Sequence, residues 1–201
     1  MFGFSQMRIN QKLNQQIKKI MNAKETKLKG CYILEPNIFE DERGYFFESY
    51  NEKKLAELIG FKPDFVQDNQ SKSSYGVVRG LHMQAGTYAQ AKLVRVLEGK
   101  VIDVAVDVRP DSETFGQHIA IELSSDNKRQ LFIPRGFLHG FSVVSESAVF
   151  FYKCDNFYNK ESERGVLYNS PELNIDWGIP LGKEIISAKD MELKCFKDLQ
   201  L

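Results

Sequence analysis

Ala91-Lys92-Leu93-Val94-Arg95-Val96-Leu97-Glu98-Gly99-Lys100-Val101-Ile102-Asp103-Val104-Ala105-Val106-Asp107-Val108 is the stretch on which the reading of the fold turns. Two runs of β-branched and aliphatic residues flank Glu98-Gly99, and a glycine-containing two-residue link between such runs predicts a tight hairpin. On either side, similar short runs recur at residues 31–34, 45–49, 77–84, 117–123, 130–133, 139–144 and 149–153, with turn segments such as Asp41-Glu42-Arg43-Gly44 between them. Residues 51–59 break the pattern as a short helix, with Asn51 placed to cap it and Gly60 to end it. Strands this short and this evenly spaced, with no alternating helices, predict a mainly β protein: a jelly-roll barrel or sandwich with a few short helices. Dinucleotide, P-loop and HExxH motifs do not occur.

Composition narrows the function classes. The 27 Lys and Arg balance 27 Asp and Glu, so no global charge favours nucleic acid or an anionic membrane as partner. Three cysteines (Cys31, Cys154 and Cys195), odd in number and widely spaced, support neither a disulfide framework nor a zinc knuckle. No run approaches the ~18 apolar residues of a membrane span, and the first twenty residues lack the apolar core of a secretory signal. A cytoplasmic location without membrane association is the expectation. Residues 1–28, rich in Gln, Asn and Lys, read as an amino-terminal appendage. Ile9, Leu13, Ile17 and Ile20 have helical spacing there, but a frayed tail or a translation start at Met21 fits as well. Residues 29–201 read as one domain, ending in loops and short helical turns.

The chemistry-bearing residues are few. Of three histidines, His118 sits in an ordinary strand pattern. His82 lies in Arg79-Gly80-Leu81-His82-Met83-Gln84, where Gly80, His82 and Gln84 share one face and Gly80 is expected to leave room for a ligand. His139 follows the turn Pro134-Arg135-Gly136. Lys92 opens an apolar strand, as an edge residue in a salt bridge or as an inward cation. Tyr152 is a core tyrosine or a pocket group. Asp103 and Asp107 share a strand face, and either one, if buried, needs a partner. The segments around His82 and His139 look like degenerate versions of the two cupin signatures. Gln84 stands where the second histidine of HxH would be, so no metal site is expected.

Taken together, these segments resemble one family, the dTDP-4-dehydrorhamnose 3,5-epimerases. The resemblance is carried by Phe39-Glu40-Asp41-Glu42-Arg43-Gly44-Tyr45-Phe46-Phe47-Glu48, Gln67-Asp68-Asn69, Val78-Arg79-Gly80-Leu81-His82, Gln90-Ala91-Lys92-Leu93-Val94-Arg95-Val96, Ile133-Pro134-Arg135-Gly136-Phe137-Leu138-His139-Gly140-Phe141, Tyr152-Lys153 and Glu163-Arg164-Gly165. It implies a cupin-like jelly roll that forms a homodimer, uses no cofactor and binds a dTDP-sugar. It also implies roles: His82 as base, Asp190 as the carboxylate that orients it, Tyr152 as acid, and Lys92 and His139 as supports for an enolate oxygen. Arg43, Glu48, Gln67, Asn69, Arg79, Glu163 and Lys189 match substrate-contact positions, and Tyr158 matches the aromatic that stacks on thymine. Asp103 is the alternative partner for His82. A single-site epimerase of another dTDP-4-keto sugar, acting at C3 or C5 alone, and a metal-dependent cupin enzyme are the competing expectations.

Overall fold

The computed structural model describes residues 21–200. The helical reading of residues 1–20 lies outside them. In chain order the strands are β1 (Met21–Glu25), β2 (Tyr32–Pro36), β3 (Phe39–Asp41), β4 (Gly44–Phe46), β5 (Gln67–Ser74), β6 (Val78–Gln84), β7 (Lys92–Glu98), β8 (Lys100–Asp107), β9 (His118–Ser124), β10 (Gln130–Ile133), β11 (Phe137–Val143), β12 (Ser147–Cys154) and β13 (Glu163–Gly165). Among the described residues two α-helices join them, α1 (Glu52–Ile59) and α2 (Ala188–Met191). One sheet has the order β1-β2-β10-β7-β12-β5 and the other β13-β6-β11-β8-β9, while β3 and β4 form a separate hairpin. Two antiparallel sheets packed face to face make the expected jelly-roll sandwich.

The link at Glu98-Gly99 is not the hairpin that its sequence suggests. β7 pairs with β10 and β12, whereas β8 pairs with β9 and β11 in the other sheet. The chain turns a corner between layers here. Val94 and Val96 from one strand and Val101 and Ala105 from the other share one buried cluster, which two facing sheets can bury and one ladder cannot. Gly99 sits at φ +77°, and a Cβ there would lie 1.9 Å from the Ser147 carbonyl oxygen, so the corner admits only glycine.

Other differences have similar causes. β1 pairs along its length with β2, so residues 21–25, read as appendage, belong to the sheet. The run expected at 45–49 is a three-residue strand closing a short hairpin across Asp41-Glu42-Arg43-Gly44. β5, with the sequence QDNQSKSS, carries no hydrophobic signal, yet it pairs with β12 over eight residues at the edge of the sheet. α1 forms as expected: the Asn51 side chain accepts from the Lys54 N–H, and Gly60 closes the helix at φ +86°. Its Leu55 and Ile59 bury against Leu93 and Phe132 on the outer face of the six-stranded sheet, each contributing about 1.5–3 kcal/mol. The outer face of the other sheet, with Val104, Val106 and Leu138, is covered by the carboxyl-terminal segment through Leu173 and Trp177.

β8 is buried on both faces and ends in a polar knot. Asp107 is fully buried and accepts from Arg109 Nε (2.9 Å), Arg109 Nη2 (2.6 Å), Ser112 Oγ (2.6 Å) and Thr114 Oγ1 (2.6 Å). Burial alone would raise this carboxyl; the bonds from Arg109, Ser112 and Thr114 outweigh it and hold its pKa at about 2. Asp107→Ala is therefore expected to cost about 1–3 kcal/mol, measured as a lower urea midpoint at pH 7. A depressed carboxylate stabilises the fold above its unfolded pKa of about 3.9. The gap between wild type and variant should persist at neutral pH and close as pH falls from there toward about 2.

Candidate active site

A cavity of about 830 Å³ opens between the two sheets, within the usual range for a small-molecule site. The five-stranded sheet supplies one wall, with His82 on β6 and His139 on β11 as directly paired neighbours. The six-stranded sheet supplies the facing wall, with Lys92 on β7, Tyr152 on β12 and Gln67 and Asn69 on β5. Phe141 and Phe150, stacked with centroids 4.1 Å apart, give it an apolar surface. β5 is polar because its inward residues face this cavity and its outward residues face solvent, which is why it escaped a search for hydrophobic runs.

Each cavity histidine has its own carboxylate. His82 Nε2 lies 3.0 Å from Asp190 Oδ1, and His139 Nε2 lies 3.0 Å from Asp103 Oδ2. The open choice of partner for His82 is thereby resolved: Asp190, carried on α2, pairs with His82, and the fully buried Asp103 of β8 pairs with His139. Burial would raise the Asp190 carboxyl, but the His82 ring, the Gly80 N–H and Ser187 hold it below the usual range. Both inward aspartates of β8 thus have the partners that burial demands. Gly80 does not make room for a ligand. A Cβ there would lie 2.6 Å from Gly140 Cα, so the glycine admits the backbone of β11, and the cavity lies beyond it.

Lys92 faces inward, its Nζ 5.9 Å from the centroid of the Tyr152 ring. Among the described residues it forms no ion pair, and burial pulls its ammonium below the ordinary lysine range. Burial pushes the Tyr152 hydroxyl up, reinforced by Cys154 and opposed by Arg79, so Tyr152 stays protonated at neutral pH. At the mouth, Glu163 accepts from the Tyr158 hydroxyl (2.7 Å) and pairs with Lys189. Burial would raise Glu163, but these two bonds hold it low. Arg79 lines the rim and donates to Ser73. Eleven of the thirteen expected site residues line this one cavity, and Arg43 and Glu48 do not. Arg43 sits on the β3–β4 hairpin with its side chain 84% exposed and paired with Asp41, and Glu48 pairs with Lys54 at 2.7 Å. Sequence reading missed Gln90, Cys154 and Ser187 as cavity residues; the first and last come from loops, where no periodicity marks direction. No group of three or more His, Cys, Asp or Glu is arranged to hold a metal among the described residues.

A family model described as dTDP-4-dehydrorhamnose 3,5-epimerase matches residues 25–198. The chain belongs to that family. A dTDP-4-dehydrorhamnose 3,5-epimerase of Shigella flexneri is 51% identical over 178 residues, covering 89% of this chain and 97% of the relative. The crystal structure of the epimerase from Elizabethkingia anophelis is 62% identical, with a TM-score of 0.86 over 89% of this chain and 97% of that one. A Legionella pneumophila 3,5-epimerase structure, in complex with dTDP-4-keto-L-rhamnose, is 49% identical with a TM-score of 0.84, over 90% of this chain and 95% of its own. Within this family frame, the carboxylate on α2 is the group whose removal should disturb His82 without opening the core. Asp190→Asn keeps the shape but not the charge, and is expected to lower turnover by roughly 10²–10⁴-fold. Steady-state kinetics beside a melting curve would check that the loss is not one of folding.

Proposed function

We propose that the protein is a dTDP-4-dehydrorhamnose 3,5-epimerase, converting dTDP-4-keto-6-deoxy-D-glucose to dTDP-4-keto-L-rhamnose in the cytoplasm. The observation that carries this reading is the two-walled cavity: His82, backed by Asp190, on one sheet and Tyr152 on the other. Inversion at a carbon beside a ketone needs a proton removed from one face and another delivered to the opposite face. His82 is the base, and Tyr152, held protonated by burial, is the acid. The electrons left by the departing proton move to the 4-keto oxygen, where Lys92 and His139 stabilise the enolate. A fixed donor at such a site contributes roughly 2.7–4 kcal/mol. Return of a proton to carbon restores the ketone with inverted configuration, so the net reaction is an isomerisation. In this reading no metal or organic cofactor takes part. Arg79 and Lys189 supply charge for the diphosphate, Gln67, Asn69 and Glu163 orient the substrate, and Tyr158 at the exposed mouth stacks on thymine.

The protein acts as a homodimer in this reading. The β3–β4 hairpin exposes Phe39, Tyr45 and Phe46 and holds Arg43 away from the cavity of its own chain. On the outer face of the six-stranded sheet, Arg95 Nε is buried without a hydrogen-bond partner among the described residues, beside a depression lined by Tyr50, Phe151 and Lys153. A second copy covering this face would bury the aromatic hairpin and bring Arg43 and Glu48 to the neighbour's cavity.

Proton NMR of dTDP-4-keto-6-deoxyglucose in deuterated water tests the chemistry. Wild type is expected to wash out the protons at both C3 and C5, and His82→Asn at neither; loss at one carbon alone would reduce the activity to single-site epimerisation. For the dimer, Arg43→Ala and His82→Asn are each expected to be impaired. Mixing them after dissociation and reassociation should restore part of the activity, since one composite site in the mixed dimer would carry both intact residues. Absence of any recovery, with mixed dimers demonstrated by mass spectrometry, would place Arg43 outside the neighbour's site.

A further inference from the structure

Gln84 lies two residues beyond His82 on β6, faces the same cavity and is 5% exposed. Its Oε1 accepts the backbone N–H of Asn159 at 2.9 Å. That bond belongs to an unusual set. The chain between β12 and β13 is not held by a ladder at residues 157–159; each backbone N–H there donates to a side-chain amide oxygen instead. Phe157 donates to Asn156 (2.9 Å), Tyr158 to Gln67 (3.1 Å) and Asn159 to Gln84. Of these three acceptors only Gln84 is buried. Asn159 is also the pivot of the segment, because its Oδ1 accepts from the N–H groups of Glu161 and Ser162, each at 3.0 Å. The turn so formed delivers Glu163 opposite Gln84 in the β6–β13 pairing, where Glu163 receives the Tyr158 hydroxyl.

We infer that Gln84 is a positioning residue for the nucleotide end of the substrate: by anchoring Asn159 it fixes the direction of Tyr158 at the cavity mouth. This rests on the epimerase reading, in which Tyr158 meets the base. It gives β6 two tasks at adjacent inward positions, His82 acting on the sugar and Gln84 setting the platform for the nucleotide. A buried amide is suited to the second task. It is neutral, so it holds a backbone N–H without bringing a charge beside Glu163 and the diphosphate, and its bond is strengthened by exclusion from water.

Calorimetric titration with dTDP, a ligand that does not react, tests this with the full chain as wild type, Gln84→Met, Tyr158→Ala and the double variant. Loss of a stacked base corresponds to a roughly 5- to 150-fold weakening. Gln84→Met is expected to weaken dTDP by roughly tenfold within that range and to raise KM by a similar factor, with kcat falling less. If Gln84 acts through the loop, the double variant binds no more weakly than Tyr158→Ala alone. Amide exchange gives a second readout: Asn159 should lose protection in Gln84→Met while amides of β8 and β11 keep theirs. Unchanged dTDP affinity, additive effects in the double variant, or a general loss of protection across β8 and β11 would each overturn the inference. A wild type that binds dTDP beside an unaffected Gln84→Met defeats this inference alone; a wild type that binds no dTDP defeats the epimerase reading and this inference with it.

Discussion

The hydrogen bond from His82 to Asp190 joins positions 108 residues apart and constrains much of the architecture around it. For α2 to present Asp190, the carboxyl-terminal segment must come back along the start of β6, on the side where β13 pairs only with its far end. It does so through a parallel bridge between Val77 and Ile185, with the Val78 N–H donating to the Ile185 carbonyl and the Ile185 N–H donating to Gly76. Asp190 Oδ2 then accepts the Gly80 N–H at 3.3 Å, and Ser187 caps the short helix. On the way, the same segment lays Leu173 and Trp177 over the outer face of the five-stranded sheet. Completing the dyad and covering the second sheet are therefore one structural act. A helix of four residues is far too short to be stable alone, and it exists because these tertiary contacts hold it.

The second constraint is the polar interior. A jelly roll built only for stability would fill the space between its sheets with aliphatic side chains. Here the apolar filling, from Val94 to Phe150, gives way to His82, His139, Lys92 and Tyr152 around a cavity. The fold accommodates this unevenly. Asp103 and His139 are buried together and satisfy each other. Lys92 has no such partner among the described residues, and burial weakens its hold on a proton. An ammonium kept short of a counter-charge is poorly suited to holding a structure together and, in the proposed reaction, well suited to meeting negative charge that appears only in the transition state.

How much of this was legible depended on whether a signal was local. Strand positions, the Asn51–Gly60 helix limits and the pairing needs of Asp103 and Asp107 follow from period, capping and burial cost, all properties of nearby residues. Sheet membership does not. The valines of β7 and β8 alternate identically whether the strands pair or face one another, so the Glu98-Gly99 link could be read as a hairpin when it is a corner. β5 was unreadable because its inward face lines a cavity rather than a core. Gly80 was misread because glycine marks close approach without saying what approaches, and here it is Gly140. The site residues were recoverable only as a family pattern: nothing in the spacing of His82, Lys92, Tyr152 and Asp190 brings four separate elements to one cavity.

The proposed dimer would also account for the two residues that stand apart. A side chain can be recognised from sequence as belonging to a site without belonging to the site of its own chain. Arg43 and Glu48 lie on or just after a hairpin that forms no ladder with either main sheet and carries Phe39, Tyr45 and Phe46 into solvent. Exposed aromatic side chains cost a monomer free energy and offer a dimer a ready interface. The Arg95 Nε, buried without a hydrogen-bond partner among the described residues, has the same character in the proposed dimer: a donor removed from water that a second chain could meet. Each feature would be a defect in an isolated chain. If one chain completes the surface of the other, both stop being defects, and in the proposed dimer Arg43 and Glu48 reach the neighbour's cavity by the same association.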